Sequence, residues 1–258
     1  MTTWVLLRGL TREARHWARL PDKLRASGID GEIVLADLPG NGGHARLRSP
    51  ASVPAMIEFI VAELARLGYS PPYRVMAMSL GAMVAAAWAQ GRPQDIECLV
   101  LINTSMRPFS GATERLRPSA WMGLLGAAWR WRDRRQAEAT IHRLTCNRAD
   151  TLDVDLDEWV EIYRSAPVAR ANALRQLWAA ARFQAALQAP RCPTLVLSSR
   201  EDRLVSPACS KQLAAAWQAT HLEHPWAGHD LPHDDPAWVS DRVVAWGATS
   251  FKGPFSGR

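Results

Sequence analysis

Arg74-Val75-Met76-Ala77-Met78-Ser79-Leu80-Gly81-Ala82-Met83-Val84 is the stretch on which the reading of this chain turns. A short apolar run ends at Ser79, and small residues lead from there into an alanine-rich helical run. The pattern predicts a strand, a one-residue turn and a helix. A serine at the head of such a turn projects its hydroxyl away from the backbone. The turn crowds the chain, so the residues two before and two after the serine must be small. They are Ala77 and Gly81, and Ala82 is small as well. Taken alone, the same residues also fit a strand-to-helix turn in which Ser79 is an ordinary helix cap.

Outward from this turn the chain alternates. Val5-Leu6-Leu7 and residues 33–36 read as short buried strands. A helix is expected over residues 13–27, with Trp17, Leu20 and Leu24 on its apolar stripe. Residues 53–67 read as a helix, with Pro54 in its first turn. The helix after Ser79 is expected to end near Gln90, and residues 98–102 to form the next strand. From about residue 105 to residue 189 the alternation stops. Four helical stretches are expected there, at 119–130, 134–144, 156–165 and 170–187, with no strand. A strand at 194–198, a helix at 206–218, a weaker strand at 220–224 and a helix at 236–250 complete the pattern. The tail 252–258 is expected to be frayed. Strands alternating with helices imply a parallel sheet covered on both faces, with sites outside the carboxyl ends of the strands. The expected organisation is an α/β core of residues 1–104 and 190–258, with a helical insertion at 105–189.

With 258 residues, 48% of them hydrophobic, the chain can build one large core. Arg, Glu, Gln or Pro interrupts every apolar run before it reaches the length of a membrane span. The first residues, Met1-Thr2-Thr3-Trp4-Val5-Leu6-Leu7-Arg8, lack the features of a secretory signal, so a cytoplasmic enzyme is expected. Cys98, Cys146, Cys192 and Cys209 are scattered, and the histidines follow no H-E-x-x-H pattern. Free thiols and no metal site are expected. The net charge of +6 raises nucleic-acid binding as a function, but no lysine-rich run or binding motif supports it.

The chain resembles the α/β-hydrolase family over nearly its whole length. Its elbow matches G-x-S-x-G, with Ala77 in the first glycine position. Ser199-Arg200-Glu201-Asp202-Arg203-Leu204-Val205-Ser206-Pro207 resembles the family's G-x-x-D-x-x-V-P loop, and Gly228-His229 resembles its G-H segment. The resemblance implies a triad of Ser79, Asp202 and His229, in the family's chain order. His229 would take the serine proton, and Asp202 would orient the imidazole. The backbone N–H groups of Leu10 and Leu80 would form the oxyanion hole. No metal or organic cofactor is implied. Glu201, Asp230 and Asp234 are neighbouring carboxylates, and His16, His44, His224 and His233 are other histidines of site type. Asp37-Leu38-Pro39-Gly40-Asn41-Gly42 matches the family's D-x-P-G-x-G turn and reads as fold punctuation, with His44 at the surface.

One departure matters. Arg8-Gly9 stands where most relatives have His-Gly. Arg8 either braces the loop through backbone carbonyls or lies next to the substrate, as Met78 would.

The resemblance also makes residues 105–189 a lid. They carry Trp121, Trp129, Trp131, Trp159 and Trp178, most of which are expected to bury the lid helices on the core. An apolar-lined lid suits an acyl chain or an aromatic ester. Between Arg107 and Arg182 there are 13 arginines against nine acidic residues, densest at Trp129-Arg130-Trp131-Arg132-Asp133-Arg134-Arg135. Such a run is ordinarily a solvated face. The elbow region is also similar to pimeloyl-carrier-protein methyl ester esterases, a resemblance that implies an acidic acyl carrier protein as a partner at the basic lid.

The expected activity is hydrolysis of a small-molecule carboxylic ester through an acyl-enzyme. Thioester, amide and carbon–carbon cleavage stay open, because one triad serves all of them. Dehalogenase and epoxide hydrolase chemistry needs a carboxylate at the elbow. A non-catalytic binding protein on this frame would have lost a triad element, and none is lost.

Overall fold

Six short segments pair in parallel in the computed structural model, which describes residues 2–250. They are β1 (Thr3–Leu7), β2 (Glu32–Ala36), β3 (Tyr73–Met78), β4 (Ile96–Ile102), β5 (Thr194–Ser199) and β6 (Thr220–His224), in the spatial order β2-β1-β3-β4-β5-β6. Every residue of β1, β3 and β5 is buried, as in a sheet covered on both sides. The frayed tail expected at 252–258 lies outside the described residues.

Strand periodicity sorts the side chains into two cores. Val5, Leu7, Val75, Ala77, Leu99 and Leu101 face one side. There they meet α2 (Val53–Arg66), α3 (Leu80–Gly91) and α9 (Pro207–Trp217). Trp4, Leu6, Met76, Met78, Val100 and Ile102 face the other side. There they meet α1 (Leu20–Ala26) and α11 (Pro236–Ser250). The register pairs Leu7 with Ala77, Met78 with Ile102, and Ile102 with Leu197. The carboxyl ends of the central strands are therefore level, and the loops leaving them share one edge.

Between β4 and β5 lie α4 (Ala112–Arg115), α5 (Pro118–Trp129), α6 (Arg134–Thr145), α7 (Leu152–Ser165) and α8 (Arg170–Arg182). Helix α5 packs on α6, and α6 on α7. A short α10 (Leu231–Asp234), not expected from the sequence, follows β6. No helix among the described residues is long and apolar enough to cross a membrane. The four cysteines are free.

Three sequence expectations need correction. The helix expected over 13–27 is broken into a 3-10 turn at Ala14–Trp17 and α1. Ala18 has a φ of 46°, and Pro21 lacks the N–H that a continuous helix would need at that point. Trp17, Leu20 and Leu24 are nonetheless buried, so the apolar stripe survives the break. The last inserted helix stops at Arg182, and Gln184 instead bridges to Arg107 in extended form. Of the five inserted tryptophans only Trp159 is buried; Trp121, Trp129 and Trp178 are 49, 89 and 56% exposed. Helices α5 and α8 turn these rings outward; α8 packs on the core through Ala179, and α5 buries Ala120 and Ala127 instead.

Candidate active site

Ser79 sits where β3 ends and α3 begins, with φ 54° and ψ −118°. A residue with a side chain is rarely held there, at a cost of order 1–3 kcal/mol. The surroundings over-determine it. Its N–H donates to the Ile102 carbonyl at 3.0 Å, and its own carbonyl accepts from Thr104 Oγ1 at 3.0 Å. Gly81 explains the small residue two positions on. A Cβ there would lie 2.5 Å from the Leu7 carbonyl oxygen and 2.6 Å from that of Arg8. The loop after β1 is equally close, since a Cβ on Gly9 would fall 3.0 Å from Ser79 Cβ.

Asp202 follows β5 and is buried, whereas Glu201 is exposed. Asp202 Oδ1 accepts from the Leu204 and Val205 N–H groups, both at 2.8 Å. Its Oδ2 lies 2.7 Å from His229 Nδ1. The loop therefore fixes the carboxylate, and the carboxylate fixes the ring. The other site-type histidines have other partners: His16 meets Glu13 and Arg12, His44 meets Glu63, His224 meets Asp235, and His233 meets Asp155. His44 is half-buried rather than superficial and packs its ring edge-on to Phe59.

Ser79 and His229 line one cavity of about 100 Å³, together with Gly9, Leu10 and Met78. Leu124, Ile141 and Leu144 border it from the inserted helices. The Leu10 N–H has no acceptor among the described residues. Leu80 opens α3, so its N–H lies ahead of the intrahelical ladder. Leu80 directly follows Ser79, and Leu10 lines the same cavity as Ser79.

Arg8 also lines the cavity, but its partner is not a backbone carbonyl. Its guanidinium grips the Asp230 carboxylate with both terminal nitrogens, at 3.0 and 2.5 Å, and lies over the Trp17 ring. Both residues are buried. Burial opposes a charge on Asp230, but the charge and hydrogen bonds of Arg8 outweigh it and hold the carboxyl below its ordinary range. The bidentate pair ties the loop after β1 to the residue after His229. Arg12, on the same loop, reaches Glu138 of α6 at 3.0 Å and covers the Trp159 ring.

Sequence reasoning missed Asn103, the first residue after β4. Its side-chain nitrogen donates to the carbonyls of His229 and Gly228 and to Ser199 Oγ, and its oxygen accepts from the Ser199 N–H. An Asn directly after an apolar strand was the available signal in the sequence, and in the structure it holds a φ of 43°. Asp37, in the glycine-rich turn, accepts from the N–H groups of Ala14 and Gly43.

A strained serine between a parallel strand and a helix, beside a buried Asp–His pair, narrows the family. The family model described as alpha/beta hydrolase matches residues 4–242. The chain belongs to the alpha/beta hydrolase family. As an alpha/beta hydrolase it is an enzyme of the hydrolase class. A Klebsiella pneumoniae (strain 342) protein named "Putative carbamate hydrolase RutD" is 26% identical over 231 residues, which cover 87% of this chain and 83% of that one. A pimeloyl-[acyl-carrier protein] methyl ester esterase of Chromobacterium violaceum is 32% identical over 103 residues, 40% of this hydrolase and 37% of that protein. Among solved structures, the enol-lactonase of Burkholderia xenovorans LB400 superposes with a TM-score of 0.74 at 19% identity, over 95% of this chain and 90% of that one. That likeness concerns the fold.

Proposed function

We propose that this hydrolase cleaves small carboxylic esters through an acyl-enzyme on Ser79. The observation that carries the reading is the strained Ser79 lining one cavity with His229, whose Nδ1 lies 2.7 Å from Asp202 Oδ2. In this reading His229 Nε2 takes the Ser79 proton as the hydroxyl attacks the ester carbonyl. Asp202 keeps the proton on Nδ1 and offsets the charge of the imidazolium. The N–H groups of Leu10 and Leu80 take up the oxyanion. His229 then protonates the leaving alkoxide, and in the second half it activates water to release the acid. Protein groups alone supply each of these steps.

Residues 105–189 act as the lid in this proposal, since Leu124, Ile141 and Leu144 close the cavity from that side. The size of the cavity sets the substrate range. Pockets for drug-sized ligands run to roughly 300–1,000 Å³. About 100 Å³ suits an acyl group of a few carbons. The carrier-protein reading has less to support it. Arg134 and Arg135 of the basic stretch are spent on Glu138 and Asp157, and a long carrier-borne chain exceeds the cavity. The same small cavity favours carbamates as a second reading, and the named relative points the same way.

The test is hydrolysis of p-nitrophenyl esters from acetate to palmitate by wild type and Ser79→Ala, with a p-nitrophenyl carbamate alongside. Activity on acetate to butyrate that disappears in the variant is expected. Equal activity in both proteins would remove Ser79 from the mechanism, and a palmitate optimum would overturn the size argument.

A further inference from the structure

Beside the cavity, three side chains of metal-ligating type converge from separate elements. One ring nitrogen of His142, one of His233 and Sγ of Cys146 all lie within 4.8 Å of one another. His142 and Cys146 stand four residues apart at the end of α6, and His233 comes from α10. Nothing in the triad chemistry uses any of them. The Cys146 side chain is 4% exposed, clusters with Trp159 and Ile162, and lies 3.7 Å from Thr145 Oγ1.

We propose that His142, Cys146 and His233 form a structural site for a divalent d-block cation, Zn²⁺ in the first instance. The set is two imidazoles and one thiolate, a combination that suits zinc. The surroundings are those of a metal site. His142 Nε2 and His233 Nε2 lie 3.0 and 2.9 Å from the same oxygen, Asp155 Oδ2. A carboxylate that hydrogen-bonds imidazole nitrogens in this way orients rings for a metal ion. Thr151 Oγ1 donates to that carboxylate at 2.6 Å and holds it in place. The Trp159 ring packs against both imidazoles, at 5.3 and 5.5 Å between centroids, and walls the cluster with apolar surface.

Binding releases the thiol proton, so the cation meets one thiolate, with the Asp155 carboxylate within hydrogen-bond reach of both imidazoles. Tetrahedral zinc, with bonds of about 2.0 Å to nitrogen and 2.3 Å to sulfur, needs its ligand atoms about 3.3–3.5 Å apart, closer than the 4.8 Å within which they now lie. The site would fasten α6, which lines the cavity through Ile141 and Leu144, to α10, which begins two residues after His229. Its role is to hold that wall on the core, and it stands independently of the ester reading.

The probe is Co²⁺, titrated into wild-type protein previously dialysed against a chelator, and into Cys146→Ser. One equivalent bound by wild type, with a near-ultraviolet sulfur-to-cobalt charge-transfer band that Zn²⁺ abolishes, is expected. Cys146→Ser should lack that band, and Zn²⁺ should raise the melting temperature of wild type only. No uptake by wild type, or the same spectrum from Cys146→Ser, would overturn the proposal. Should the variant fail to fold, zinc-edge X-ray absorption of the wild-type protein decides. A shell containing one sulfur at about 2.3 Å supports the site, and a shell of nitrogen and oxygen alone refutes it.

Discussion

The side-chain amide of Asn103 donates to the main-chain carbonyl of His229 at 2.7 Å while its oxygen accepts from the Ser199 N–H at 2.8 Å. One residue thereby links the end of β5, which leads to Asp202, with the loop that carries His229. It touches neither ring nor carboxylate, so its effect is on position. Replacing Asn103 by Ala leaves buried backbone groups without partners, at a cost of about 1–3 kcal/mol. The kcat for p-nitrophenyl acetate should fall about tenfold or more, as a small misplacement of the proposed base His229 would cause, with KM little changed. Asn103→Asp keeps the acceptor for Ser199 and should fall between the two. Equal kcat in wild type and Asn103→Ala would show that the link has no bearing on the site.

The backbone of Ser79 is a second place where position and stability conflict. Glycine adopts φ 54° without a Cβ penalty. Ser79→Gly should therefore abolish turnover and raise stability by about 1 kcal/mol, read as an upward shift in melting temperature. A variant less stable than wild type would mean that the elbow is not strained.

Gly81 gives the opposite result. Its added Cβ would meet two backbone oxygens, of Leu7 and Arg8, and backbone cannot swing aside. Gly81→Ala should cost about 3 kcal/mol and displace the loop that presents Leu10. Thermal melts together with turnover on acetate check this, and a neutral substitution would refute the close approach.

Arg8 and Asp230 form a buried pair, so the cost depends on which partners remain. Arg8→Met strands a buried carboxylate and should lose about 3–5 kcal/mol. The double variant Arg8→Met with Asp230→Asn should recover most of that loss. If Arg8 served only to hold the loop, recovery of stability would restore KM as well. A persistent rise in KM in the double variant would assign Arg8 a contact with substrate.

His16 makes the fold sensitive to mild acid. Burial, reinforced by the nearby Arg12 and Arg8 charges, pushes its pKa well below the ordinary value. In the unfolded chain it takes up a proton near pH ~6.5. As pH falls through that value the unfolded state binds a proton that the folded state refuses, so stability is lost from there downward. Asp230 has a depressed folded value, so its contribution is present above the unfolded carboxylate value of about 3.9 and is lost only as pH falls below it. From pH 8 to pH 5 the melting temperature of wild type should lose ground relative to that of His16→Gln, while His233, whose folded value is raised by Asp155, acts with the opposite sign in both proteins. Parallel curves would show that His16 titrates normally.

Much of this molecule was legible locally. Parallel strands of the sheet appear as apolar runs, and the elbow appears as small residues around Ser79, because both constraints act between near neighbours in the chain. Family flanks pointed to Asp202 and His229, and the structure sets their side chains 2.7 Å apart. The outward-facing Trp121 and Trp129 were not legible, since hydropathy reports what a side chain prefers and not which face of a helix finds a partner. Composition and cysteine spacing likewise gave no reason to join His233 to Cys146.

By itself the sequence determined the order of strands and helices and the identity of the strained serine, through periodicity and steric demands set within a few residues. Only the tertiary structure decided that Arg8 pairs with Asp230, 222 positions away, that Asn103 links two loops, and that the cavity is small. Those outcomes depend on distances between level strand ends, where residues remote in the chain must satisfy each other's charge and hydrogen bonds once water has been excluded.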